Sequence, residues 1–92
     1  MKNNILAIME KLLKETDVDK KRYSIGEYEE NAVCLLFNGE RYEVFRCAKD
    51  NKYNCRRYYS AKEACVDMVC RLTKNDLEKR KLVLEKLDAV LH

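Results

Sequence analysis

The dipeptide Asn38-Gly39 constrains this chain more than any other feature. It lies between two extended runs, Ala32-Val33-Cys34-Leu35-Leu36-Phe37 and Arg41-Tyr42-Glu43-Val44-Phe45-Arg46-Cys47. Both central positions of a type I′ turn need φ > 0, which Asn and Gly tolerate best, so the pair marks a β-hairpin. The polar cluster Lys49-Asp50-Asn51-Lys52 then turns the chain, with Asp50-Asn51 at the centre, into a third strand over Tyr53–Tyr59.

This pairing sets Phe37 opposite Glu40, Leu35 opposite Tyr42 and Val33 opposite Val44. Period 2 puts all six on one face, and because five of the six are apolar it is the buried one. The third strand adds Arg57 opposite Val44 and Tyr59 opposite Tyr42. The other face carries Cys34, Leu36, Phe45, Cys47, Arg56 and Tyr58. That is more apolar than a solvent face of an antiparallel sheet should be. The surplus calls either for helices on both sides or for a partner surface.

Helices flank the strands. Asn3 or Asn4 can cap a first helix whose Ile5, Ile8, Met9, Leu12 and Leu13 recur on one face. The periodicity stops near Thr16, and Asp17 to Arg22 forms a polar connection. Tyr23-Ser24-Ile25 alternates as a short edge strand that Gly26 breaks. Ser60-Ala61-Lys62-Glu63 is a capping box opening a helix of Ala61, Ala64, Cys65, Met68, Val69 and Leu72. Asn75, with Glu78 three residues on, is the expected cap of a last helix. Its apolar stripe is Leu77, Leu84, Leu87 and Leu91, with Val83 and Val90 beside it and Lys79, Arg80, Lys81 and Lys86 turned away. The expected architecture is a single α+β domain over residues 1–92: an N-terminal helix, a three- to four-stranded antiparallel meander sheet and two C-terminal helices.

Composition narrows the function classes. The 92 residues include one histidine, His92, at the end of the chain, where it cannot be held in place as a general base. Two glycines cannot build a phosphate-cradling loop. The five cysteines, Cys34, Cys47, Cys55, Cys65 and Cys70, show no metal-ligand spacing and fall within elements, as small buried apolar residues do. No residue is therefore assigned to catalysis, a cofactor or a metal. No apolar run reaches the roughly 20 residues of a membrane span, and Met1-Lys2-Asn3-Asn4 is not the start of a secretory signal, so a cytoplasmic protein is expected. A net charge of +3 permits nucleic-acid binding without arguing for it.

Two binding readings remain. Helix, three antiparallel strands, helix is the order of double-stranded-RNA-binding domains, and Ser60-Ala61-Lys62-Glu63-Ala64 loosely resembles the start of their second helix. Only Lys62 matches a phosphate-gripping position, and Asn38-Gly39 stands where those domains have their Gly-Pro-x-His loop.

The second resemblance is broader. Tyr23-Ser24-Ile25, Glu30-Asn31-Ala32-Val33-Cys34-Leu35, Gly39-Glu40-Arg41-Tyr42-Glu43-Val44 and, after a tyrosine-rich strand, Glu63-Ala64-Cys65 together resemble a family of small immunity proteins of bacterial polymorphic toxin systems. The similarity covers residues 20–72 or so and leaves out the last helix. It implies a cytoplasmic protein that binds and neutralises the toxic domain of a contact-dependent or secreted effector. Immunity proteins against basic nucleases tend to be acidic; at +3 this chain implies a toxin that is not strongly basic, or a local acidic contact. Expected partner-binding residues are Glu27, Glu29 and Glu30 of the acidic loop, with Leu36, Phe45, Arg56 and Tyr58 of the second sheet face.

Overall fold

Local sequence rules account for most of the elements. The structure, a computed structural model, describes residues 4–49 and 51–91. The order is α1 (Asn4–Glu15), β1 (Tyr23–Ile25), β2 (Val33–Phe37), β3 (Tyr42–Ala48), β4 (Asn51–Tyr58), α2 (Ala61–Leu72) and α3 (Leu77–Leu91), with a single 3-10 turn at Lys20–Arg22. In α1, Ile5, Met9, Leu12 and Leu13 are buried, as their spacing predicts. The helix ends where Asp17 takes φ 59° and the Val18 amide donates back to the Leu13 carbonyl at 3.1 Å. Asn3, one of the two expected caps, lies outside the described residues.

Ser60 caps α2, its Oγ accepting from the Glu63 amide at 3.3 Å, and Ala64, Cys65, Met68, Val69 and Leu72 are buried. The cap of α3 is Asp76 rather than Asn75: its Oδ1 accepts from the Lys79 amide at 3.0 Å. Val83 and Leu87 are buried, but Leu77 stands in solvent. Arg80 does not turn away. It donates to the Thr73 hydroxyl and to the carbonyls of Cys70 and Thr73, closing the C-terminal end of α2.

The sheet runs β1-β2-β3-β4, and β1 is parallel to β2, so it is mixed and not an antiparallel meander. The cause is the link 26–32. It crosses the face of the sheet instead of turning back along its edge. Gly26, at φ 90°, starts the crossing, its amide donating to the Leu35 carbonyl. Tyr28 then lies on Phe45, ring centroids 5.4 Å apart.

The β2–β3 connection is longer than a two-residue turn. Phe37 pairs with Tyr42, Leu35 with Val44 and Val33 with Arg46. Asn38 uses its side chain, Oδ1 accepting from the amides of Glu40 and Arg41 at 2.9 and 2.8 Å, and left-handed φ is needed at Gly39. The two-residue slip from the expected register preserves the faces.

The β4 register does not preserve them. Ala48 pairs with Asn51, so the turn lies one residue earlier than expected; Asp50 is outside the described residues. Further along, Arg46 pairs with Tyr53 but Val44 pairs with Arg56. Asn54 and Cys55 thus oppose Phe45 alone, a β-bulge with Asn54 at φ 53°. The extra residue turns the following side chains over. Arg56 and Tyr58 join Val44 and Tyr42 on the first face, and Arg57 joins Glu43 on the second.

All three helices bury their apolar sides in one cluster with Tyr23, Leu35 and Val44 on that first face. The second face has a smaller cluster of Ala32, Cys34, Phe45 and Cys47, with Leu36 and Cys55 against it. Its cover is no helix. It is the 26–32 crossing and Lys52, whose ammonium sits 5.0 Å from the Phe45 ring centroid. Among the described residues no helix is long and apolar enough to cross a membrane.

Candidate binding groove

Where the helical layer runs out, toward the bulge in β4, it leaves an open groove of about 710 Å³ against the sheet. Separate elements supply its cations. Arg22 ends the 3-10 turn, Arg46 sits in β3, Arg56 follows the bulge in β4, Arg71 is in the last turn of α2, and Lys74 follows it. Among the described residues Asp67 is the only carboxylate in the lining.

Asp67 is already engaged. Arg71 Nε donates to its Oδ1 at 2.8 Å, and the Tyr58 hydroxyl donates to its Oδ2 at 2.6 Å. Arg71 also donates from Nη2 to the Asn54 carbonyl at 2.6 Å, tying α2 to the bulge. Burial pushes the Tyr58 hydroxyl pKa up and the bond to Asp67 adds to it, while the Arg56 guanidinium beside it pulls the other way. Arg22, Arg46, Arg56 and Lys74 meet no carboxylate among the described residues. The Arg56 guanidinium also shares a hydrogen bond with the Tyr58 hydroxyl, and a guanidinium presents a planar fork of donors that matches a carboxylate or phosphate.

The expected contact residues divide between two faces. Arg56 lines the groove, and Tyr58 anchors its wall through Asp67 while packing against the helix-side core. Phe45 is on the second face but has 0% exposure, and Leu36 is half-buried beside it. Glu27, Glu29 and Glu30 are exposed on the crossing over that face. The Glu30 carboxylate accepts from the Lys49 amide, pinning the crossing to the β3–β4 turn. The expected single surface of seven residues is therefore two: Arg56 with Tyr58, and the acidic crossing with Leu36 over Phe45.

The sequence places Arg22 in the polar connection Asp17 to Arg22 and assigns no role to Arg46, Asp67, Arg71 or Lys74. One signal was available, because Asp67 and Arg71 are spaced i, i+4 on a helix. Arg46, in line with the apolar Val44, was a second.

A buried carboxylate marks the second face. Glu43 accepts from Lys52 Nζ at 2.7 Å and from Arg57 Nε at 2.9 Å. These two hydrogen bonds, Lys52 first, hold its pKa below the usual carboxylate value despite burial. On the far side of α2, Lys62 is bound to Asp88 of α3 at 2.7 Å. Among the described residues no three His, Cys, Asp or Glu side chains converge on a metal-sized site. No family model matches this chain, and no curated protein or solved structure matches it.

Proposed function

We propose that this chain is an immunity-type protein that binds a cognate toxin domain and neutralises it by occupying its surface. The observation that carries the reading is where the family-like pattern falls in the fold. Leu35, Val44, Ala64 and Cys65 are fully buried in the helix-side cluster, and Ala32 and Cys34 anchor the second cluster. The apolar members of the pattern therefore make up the packing that builds the sheet and seats α2 on it. The charged groups around that frame, Arg56 in the groove and Glu27, Glu29 and Glu30 on the crossing, are left to choose the partner. Charge at such a surface sets association rate and specificity more than raw affinity. Phe45 and Tyr58 serve this surface from below, by holding its backbone.

The test is co-expression. The C-terminal domain of the neighbouring upstream reading frame is expressed alone and then with this chain. Growth arrest by the first, relieved by the second, with a co-purifying complex, is the expected result. A neighbour that is harmless, or a toxin that this chain neither binds nor relieves, overturns the reading. The alternative, a double-stranded-RNA-binding module, rests on Lys62 as its one matched residue, whose ammonium pairs with Asp88 on the exposed surface. Tight duplex RNA binding at about 0.15 M salt, lost in Lys62→Ala, would favour it instead.

A further inference from the structure

We infer that the groove between the bulge in β4 and the end of α2 binds a short, aspartate- and glutamate-rich segment of a partner protein. It holds for a partner of any activity, toxin or not.

Charge placement is the first ground. The whole chain carries a net +3, yet four cations without a carboxylate partner among the described residues, Arg22, Arg46, Arg56 and Lys74, share this one groove. The basic excess of the molecule is thus concentrated on a single concave surface, where it attracts anions most strongly. Arg46 and Arg56 lie on the same sheet face of adjacent strands, either side of the bulge. Both therefore add to the positive potential of the groove, and the one carboxylate among its described lining residues already accepts from Arg71 and Tyr58. An anion from outside would be drawn to that surface.

The form of the groove selects the anion. Three of these four cations are guanidinium groups, which grip carboxylates bidentately. Among the described residues the groove lining contains no aromatic ring, so nothing there offers a base a stacking platform. The volume of the groove, about 710 Å³, falls inside the range of about 300–1,000 Å³ usual for ligand sites.

The probe is a fluorescein-labelled decaglutamate peptide, titrated by anisotropy against the full chain at low and at physiological salt. Single-stranded and duplex RNA of equal charge are the competing probes. Arg46→Glu and Arg56→Glu should each weaken peptide binding by about tenfold or more. Lys86→Glu, on the exposed side of α3, makes the same charge change away from the groove and should have little effect. Equal losses in all three variants, absence of peptide binding, or tighter binding of either RNA overturns the proposal. Should a variant fail to fold, amide chemical shifts of the unmodified protein decide. Peptide-induced shifts centred on residues 22, 46, 54–56 and 74 support the groove, and shifts centred elsewhere refute it.

Discussion

Glu43 is the clearest case of a single side chain whose ionisation holds structure. Its carboxylate is nearly buried between Lys52 and Arg57, and those two bonds lower its pKa from the ordinary value of 4.5. A depressed folded pKa means that the unfolded chain binds more protons as pH falls. The Glu43 contribution is therefore present above about pH 4.5 and fades as pH drops through the lower folded value. Glu43→Gln should lose about 1–2 kcal/mol at pH 7, a figure discounted for the solvent exposure of both cations. Urea melts from pH 7 to 3 should show the variant losing less on acidification than the parent; parallel curves would rule Glu43 out as the sensor. Tyr23 presents the opposite situation. Its hydroxyl is buried without a hydrogen-bond partner among the described residues, and burial first, then Glu10, pushes its pKa up. Tyr23→Phe should raise stability by about 1 kcal/mol in denaturant melts, because an unsatisfied buried polar atom is removed. A loss of similar size would mean that the hydroxyl is satisfied in solution.

Among the elements, β4 decides the most. Its bulge needs a left-handed residue, and Asn54, at φ 53°, is one of the few types that accept it cheaply. Arg71 holds the bulge from outside by donating to the Asn54 carbonyl. Asn54→Gly should leave the melting temperature within a few degrees of the parent. Asn54→Val should cost about 1–2 kcal/mol, because a β-branched side chain resists φ > 0. Should the valine variant be as stable as the parent, with the same amide pattern around Arg56, the bulge would not depend on Asn54. The bulge also explains why a strand so exposed along its length carries both structural and outward-facing cations. Arg57 is turned to Glu43, and Arg56 to the groove.

The whole molecule is covered unequally. On one side three helices close over the sheet. On the other, Phe45, Cys34 and Cys47 are sealed by a crossing of a few residues and a lysine stem. The thin side should open first, because it buries less apolar surface than the helical side. Cysteine labelling reports this directly. In the native protein Cys55 and Cys70, partly exposed, should alkylate first. Cys65 should stay silent, since burial among the helices pushes its thiol pKa up to about 12. Tyr28→Ala removes the ring lying on Phe45 and should bring Cys34 and Cys47 into reaction while Cys65 stays protected. Mass-resolved alkylation with time gives the answer. Simultaneous exposure of Cys34 and Cys65 would instead indicate one cooperative opening.

What the sequence determined by itself was local. The buried stripes of α1 and α2, the Ser60 cap and the turn at Asn38-Gly39 were legible because each depends on neighbours a few residues apart. The α+β class followed from the order of those pieces. Tertiary structure decided the direction of β1, which rests on a crossing over the sheet face that no turn signal marks. It also decided which way Arg56 and Tyr58 point, since one extra residue at Asn54 reverses every side chain after it. The groove was beyond reach for the same reason. Arg22, Arg46, Arg56 and Lys74 come from four separate places in the chain, and only the packing of α2 against a bulged strand brings their charges onto one surface.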